Sequence, residues 1–379
     1  MSERPQDGAA LGGASPDEWS RGPVVASADI GLRLGRLDLG ATVEVRSGEV
    51  LAVLGPNGSG KSTLLRCLAG LRAIDTGRIE LAGAVVDDPA TSTFVVPERR
   101  HVGVVFQDHL LFPHKDLTAN VAFGLRARGV DRREADRRAA EWLGRVGLAG
   151  LERSRPGAVS GGQAQRAALA RALITDPDLL LLDEPLSALD VGTRTGLRRD
   201  LRRHLGEFGG ATVIVTHDAL DALALADRVV VLEDGRVTQH GTLADVTGTP
   251  RTPYVAELMG TNLLLGRAAG VVVELVGATG GGTGASVTVA EPRTGDVLVL
   301  VRPSSVTVST EEPAGSQRNR WPATVAGFDL LSERIRVRTD GPVPLVAEVT
   351  RAAVAELGLV EGSVVWTAVK ATDLDVVER

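Results

Sequence analysis

Residues 55 to 63 read GPNGSGKST, namely Gly55, Pro56, Asn57, Gly58, Ser59, Gly60, Lys61, Ser62 and Thr63, directly after the apolar run VLAVL. Glycines, one lysine and hydroxyls in so few positions supply little to a core. The stretch is either a glycine-rich turn between a strand and a helix or a cradle for a polyphosphate. In a cradle, glycine lets backbone N–H groups close on phosphate oxygens, and the following helix turns its positive end toward the anion. Gly55, Gly60, Lys61 and Ser62 are then the fixed points, with Lys61 bridging the terminal phosphates and Ser62 filling one ligand position of a Mg²⁺ ion. The apolar run before the stretch and the amphipathic segment after it favour the cradle.

Two further stretches carry chemistry. LLLLDE, residues 179 to 184, is a buried-strand pattern ending in adjacent carboxylates. At the C-terminal edge of a sheet, Asp183 can hold Mg²⁺ through its water shell and Glu184 can polarise an attacking water. Taken alone, the pair reads equally well as strand-end acids capping a loop. VSGGQAQR, residues 159 to 166, opens a helix with Ser160, Gly161, Gly162 and Gln163. It reads as an ordinary serine cap or as a second anion site at a helix start. One domain has no need of two phosphate-binding helix starts, but two copies facing head to tail would use both.

The elements that must position these residues follow from the apolar pattern. EVLAVLG, VGVVFQ, LLLLDE, TVIVTH and RVVVLED read as strands, separated by helical segments such as KSTLLRCLAGL, RREADRRAAEWLGRV, GGQAQRAALARALIT and RTGLRRDLRRHLGEF. That alternation predicts an α/β domain with a mainly parallel sheet. Residues from about 108 to 158 break the rhythm with helices and no strand, as an inserted helical subdomain would; Gly235 marks a turn between two late strands, and PYVAELMG reads as a short helix. Val, Thr and Gly dominate beyond about 261, which predicts a separate all-β, barrel-like domain with GATGGGTG (277 to 284) as a loop and TRAAVAELGL as a helical exception. The expected divisions are a disordered lead-in over 1–27, the α/β domain with its helical insert over 28–260 and the β domain over 261–379.

Composition limits the function. With 379 residues, 43% hydrophobic and 24% charged, the chain has material for two or three domains. A net charge of −6 argues against a nucleic-acid partner, since such binders collect a basic footprint. The arginine and glutamate run DRREADRRAAEW reads as a solvated helix face. A single cysteine, Cys67, excludes an intrachain disulfide and fits a reducing compartment, and no window is apolar enough to span a bilayer.

In order along the chain, GPNGSGKST, VFQD with Gln107, SGGQ, LLLLDE, SALD (187 to 190) and VTHD with His217 together resemble the ATP-binding subunit of ABC transporters, over roughly residues 28 to 260. The resemblance implies ATP and Mg²⁺ as cofactors and a homodimer of ATPase subunits. Gln107 would couple the metal and the attacking water to the helical subdomain. Ser160 to Gln163 would close over the γ-phosphate held by the partner subunit. Asp190 would lie at the dimer seam, and His217 would contact the γ-phosphate. It further implies integral permease subunits, a substrate-binding protein behind them, and a peripheral place on the cytoplasmic face of the membrane. The segment 108 to 125 resembles the region that receives the permease, where Leu111, Phe112 and Phe123 read equally as docking surface or as core. One departure stands out: family members stack adenine on an aromatic residue before the phosphate loop, whereas ADIGLRLGRLDLGATVEV has none, leaving Leu37 as the platform.

The last domain resembles the TOBE or molybdenum-pterin-binding-like barrels of uptake ATPases. SQRN (from Ser316) and KAT (from Lys370) look like elements of molybdate-binding proteins, and FQDHLLFPH with RTPYVAELMGTNLL looks like the molybdate branch of the ATPases. Ser316, Arg318 and Lys370 offer one hydroxyl and two cations, a donor set suited to a tetrahedral oxyanion. They read equally as a polar turn and a strand-end lysine. The implied activity is ATP hydrolysis driving import, with molybdate as cargo. The same role for sulfate, ferric ion or polyamine stays open, as does a soluble ABC ATPase or an oxyanion sensor with no transport role.

Overall fold

The computed structural model describes residues 22–187, 191–276, 282–331 and 333–378. Its contacts divide the chain after Val246. Among the described residues, the first unit is built on an eleven-stranded sheet in the order β6-β5-β4-β1-β2-β11-β10-β3-β9-β8-β7. These strands are β1 (Val24–Leu34), β2 (Leu37–Arg46), β3 (Val50–Leu54), β4 (Thr76–Leu81), β5 (Ala84–Asp88), β6 (Thr93–Phe94), β7 (Val102–Val105), β8 (Leu179–Asp183), β9 (Ala211–Val215), β10 (Arg228–Glu233) and β11 (Arg236–Gly241). The first of them starts at Val24, inside the stretch read as a lead-in.

The sheet is mixed, a correction to the mainly parallel one expected. β10, β3, β9, β8 and β7 run parallel, and all but the edge strand β7 are buried on both faces along most of their length, as their unbroken apolar sequences require. The other arm is antiparallel except where β11 meets β2, and its hairpins form because their connections are too short for a crossover. Leu34 pairs with Leu37 and Leu81 with Ala84, leaving two-residue turns. In the second turn Ala82 and Gly83 both lie at positive φ (48° and 78°), the conformation that a tight hairpin demands. Gly235 makes the expected turn between β10 and β11.

Helix α1 (Lys61–Leu68) follows β3. The inserted helices are α2 (Leu117–Val121), α3 (Phe123–Ala127) and α4 (Arg132–Arg145), which pack on α5 (Gly161–Leu173) through Leu117, Leu125, Ala139, Leu143 and Ile174. Residues 108 to 116 are not helical as expected; His109 and Leu110 take positive φ, and Asn120 hydrogen-bonds four times to the backbone of Phe112, Lys115 and Asp116. Leu111 goes to the core, while Phe123 is 43% exposed with its ring 4.7 Å from that of Phe112. Further along come α6 (Val191–Glu207), α7 (Ala219–Leu225) and α8 (Leu243–Gly248).

The second unit is two sheets around one core. It holds α9 (Pro253–Leu258), β12 (Asn262–Val276), β13 (Gly282–Val301), β14 (Thr307–Ser309), β15 (Asn319–Leu331), β16 (Arg334–Asp340), β17 (Leu345–Thr350), α10 (Arg351–Glu356), β18 (Val364–Val369) and β19 (Leu374–Glu378). The sheets are β12-β13-β19 and β14-β18-β15-β16-β17, sharing a core of Val273, Val299, Val337, Ala347 and Val365. Of the loop expected over 277 to 284, β13 already covers the last residues, and 277–281 lie outside the described residues. Two buried asparagines bind the sheets: Asn319 exchanges hydrogen bonds with Thr288 (2.6 and 2.9 Å), and Asn262 bonds Val301 and Val346. No helix among the described residues is long and apolar enough to cross a membrane.

Arg100 anchors α1 from behind. Its side chain is fully buried, donates to the carbonyls of Cys67 and Leu68 at the helix end and to Val86 and Val95, and faces Asp87 at 3.6 Å. Burial pushes the Asp87 carboxyl up and the Arg100 guanidinium down, and the attraction between the two opposes both shifts. Arg100→Ala leaves Asp87 buried and unpaired and is expected to cost about 3–5 kcal/mol in urea unfolding; a loss under about 1 kcal/mol contradicts this account.

Candidate functional site

Four adjacent parallel strands deliver their C-terminal ends to one edge. Val53 of β3 lies opposite Val215 of β9, Val215 opposite Asp183 of β8, and Leu182 opposite Val105 of β7. The phosphate loop, His217, Glu184 and Gln107 therefore leave the sheet side by side, the position at which open α/β sheets bind ligands.

Gly60 caps α1 at φ 106°, and no side chain satisfies the first N–H groups of the helix. Those donors are left for an anion. Gly55 is required by close approach, since a Cβ there would lie 2.0 Å from the carbonyl oxygen of Leu232. Lys61, only 6% exposed, donates from Nζ to the carbonyls of Gly55 and Pro56, each at 2.8 Å. Burial lowers its pKa, and the nearby Glu184 and Asp183 charges oppose that shift. Phosphate oxygens are stronger acceptors than these carbonyls, so a polyphosphate can draw the ammonium across.

Ser62 Oγ donates to Asp183 Oδ1 at 3.3 Å. Burial raises the Asp183 carboxyl pKa above its ordinary value, and the Ser62 hydrogen bond offsets part of the rise. A half-buried carboxylate beside a hydroxyl is a hard-oxygen donor pair that fits Mg²⁺. Glu184 comes next, with Oε1 3.1 Å from Nδ1 of His217. Gln107 emerges level with Glu184, two residues past the Val105–Leu182 pair, and is exposed.

The residues that follow His217 are held by a network that sequence reading missed. Asp218 and Asp221, at the start of α7, pair with Arg198 of α6 at 3.1 and 2.6 Å, and Arg194 reaches Asp218 at 3.7 Å. The spacing of arginines along α6 was visible, but not the partner helix.

The Ser160 box stands apart. Ser160 Oγ accepts from Gln163 N–H (3.3 Å), and Gln163 Oε1 accepts from Ser160 N–H (2.9 Å), a reciprocal cap on α5. The Gly161 and Gly162 N–H groups and the Ser160 hydroxyl proton stay available to an anion. Among the described residues no hydrogen bond joins this box to the phosphate loop of the same chain. Asp190 lies outside the described residues.

Leu37 is half-buried, with both its methyls 3.5 Å from where a Cβ on Gly60 would stand. The isobutyl group therefore lies over the phosphate loop.

In the second unit, Asn319 pairs with Val369, so Arg318 and Lys370 are neighbours at one end of β15 and β18, both exposed. Ser316 is exposed in the bend just before. Neither cation makes an ion pair among the described residues. Asn319, inside the SQRN stretch, is a clamp between sheets and not a ligand.

Comparison with known proteins adds the following. The ABC transporter family model matches residues 40–187, and the TOBE domain model matches residues 315–376. The chain is 41% identical to a molybdenum import ATP-binding protein of Mycobacterium tuberculosis, covering 89% of this chain and 93% of that one. It is 36% identical to a molybdate/tungstate import ATP-binding protein of Pyrococcus horikoshii, covering 88% and 93%. A Fe(3+) ions import ATP-binding protein of Streptomyces coelicolor is 50% identical but matches only 56% of this chain and 59% of its own length.

An aliphatic platform gives a base dispersion but no π-face. We expect ATP and GTP to bind with similar, modest affinity, and Leu37→Tyr to tighten ATP by about 1–3 kcal/mol in calorimetry. Tight, ATP-selective binding by the unaltered chain contradicts this.

Proposed function

The chain belongs to the ATP-binding family of ABC transporters, and from that premise we propose that it is the ATP-hydrolysing subunit of an importer for molybdate or a similar tetrahedral oxyanion. It works as a homodimer on the cytoplasmic face of the membrane, beneath permease subunits that receive cargo from a substrate-binding protein. The observation that carries hydrolysis is Glu184, held beside His217 at the strand edge that also presents Lys61, Ser62 and Asp183.

In this reading the α1 N–H groups and Lys61 hold the β- and γ-phosphates. Ser62, Asp183 and Gln107 would hold Mg²⁺, which would neutralise charge on the phosphate oxygens. Glu184 orients and polarises the attacking water, and His217 binds the γ-phosphate as the in-line attack proceeds. The partner's copy of the Ser160 box closes on the same γ-phosphate. Closure is favourable only while that group is attached, so hydrolysis releases the two subunits.

Support for the cargo comes from coverage. Relatives named for molybdenum or molybdate match nearly the whole chain, including the β domain, whereas the relative named for Fe(3+) matches little more than half of it. Arg318 and Lys370, adjacent and without ion-pair partners among the described residues, suit an oxyanion regulator site with Ser316.

Two outcomes follow. Glu184→Gln keeps ATP binding, since the phosphate contacts and metal ligands survive, but lowers the rate of phosphate release by about 10²–10⁴-fold; a rate within about threefold of wild type contradicts the role of Glu184. Titrating molybdate into the protein gives heat that Arg318→Ala weakens by about tenfold or more, the loss of one charge-assisted hydrogen bond. No heat with molybdate, tungstate or sulfate removes the oxyanion site and leaves the ATPase intact.

A further inference from the structure

Glu184 lies at φ 45°, a left-handed backbone that strains a non-glycine residue. Several bonds hold it there. Its N–H donates to Val215 O at 2.9 Å, and its carbonyl accepts from the Ser187 N–H and hydroxyl at 3.2 and 3.0 Å. The next carbonyl, of Pro185, accepts from Nε2 of Gln165, which comes from a different element, the second turn of α5.

Gln165 is 5% exposed, and its other amide atom, Oε1, is buried with no hydrogen-bond partner. It lines a cavity of about 20 Å³ together with Leu182, Pro185, Leu201 and His204. His204 of α6 is equally buried, at 6% exposure, and its Nε2 also has no partner. Unpaired buried polar atoms are expensive, and a cavity of this size holds one water molecule. Gln165 and His204 both line this cavity, and their unpartnered oxygen and ring nitrogen are the two partners such a water would take.

We propose that Gln165 is a positioning residue for hydrolysis: its amide, completed by one water shared with His204, ties the strained Glu184–Pro185 turn to helix α5. The inference rests on the hydrolytic reading of Glu184. The first turn of α5 carries the Ser160 box, which serves the partner's nucleotide, whereas Glu184 serves its own. Gln165 thus lies on a short, buried path between the two nucleotide sites within one subunit. A shift of α5 on closing over the partner's phosphate reaches Glu184 through one hydrogen bond.

The test is steady-state phosphate release by the full chain, with thermal melting as a check on folding. Gln165→Met keeps the size and loses the donor; we expect kcat to fall about tenfold while KM for ATP stays within about twofold. His204→Phe removes the second partner of the water and lowers kcat in the same direction, and the double variant is no slower than Gln165→Met alone, because both changes break one connection. A variant that merely loosens the fold would move KM and kcat together. A folded Gln165→Met with kcat within about twofold of wild type overturns the proposal, as do strictly additive losses. Should Gln165→Met fail to fold, His204→Phe decides: a lower kcat at unchanged KM supports the proposal, and an unchanged kcat overturns it. Wild type and Glu184→Gln run in parallel. If Glu184→Gln hydrolyses like wild type, the reading of Glu184 has failed; if it is inactive and the Gln165 and His204 variants are normal, only this inference has.

Discussion

Helix α1 begins without a cap. Gly60 contributes no side chain, no acidic residue stands in the first turn, and the N–H groups at the helix start face the loop that precedes them. A helix start left in this condition is a standing requirement for an anion, and the rest of the first unit is arranged around it. Arg100 satisfies the opposite end of the same helix from within the core, so the helix that presents the donors is fixed at its far end by a buried cation. Lys61 lies across the loop on two carbonyls, a cation kept close without being neutralised.

The edge of the sheet supplies the second requirement. Asp183 is buried enough to have its pKa raised, with a hydroxyl as its hydrogen-bond donor. Its neighbour Glu184 is held in strained backbone beside an exposed histidine. Adjacent carboxylates at one strand end repel each other and lose hydration, an arrangement stable only because the surrounding strands determine it. Strain of this kind collects where geometry matters more than stability. A cation at Asp183 and a water at Glu184 would relieve both costs, which is why the edge reads as a site and not as an ordinary strand terminus.

Much of this was legible in the sequence because chemistry and backbone demand the same residues. GPNGSGKST needs its glycines for close approach, and LLLLDE needs its leucines to be buried on two faces; both patterns survive in one dimension. The antiparallel arm was readable in principle from the two-residue turns at Gly35 and Gly83, but continuous apolar strands nearby suggested a parallel sheet throughout. Residues 108 to 116 read as helix because they open a stretch with helical segments and no strand, whereas Asn120 captures that backbone as a loop. Gln165, Arg198, Asp218 and Asp221 act through partners distant in sequence, and no local spacing announces such pairs. Asn319 was visible within SQRN, yet its role as a clamp depends on Thr288 in another sheet.

The Ser160 box is the feature that a single chain leaves unexplained. Its hydroxyl and amide cap their own helix, its glycine N–H groups remain free, and no bond brings it to the phosphate loop of the same subunit among the described residues. In the proposed head-to-tail dimer each box would lie over the other subunit's nucleotide, and that pairing is the central claim. Sedimentation of the hydrolysis-dead Glu184→Gln protein, with and without Mg-ATP, tests it most directly. The account predicts a dimer in the presence of Mg-ATP that reverts to monomer when Ser160 is replaced by a bulky residue; a protein that stays monomeric at saturating Mg-ATP contradicts it.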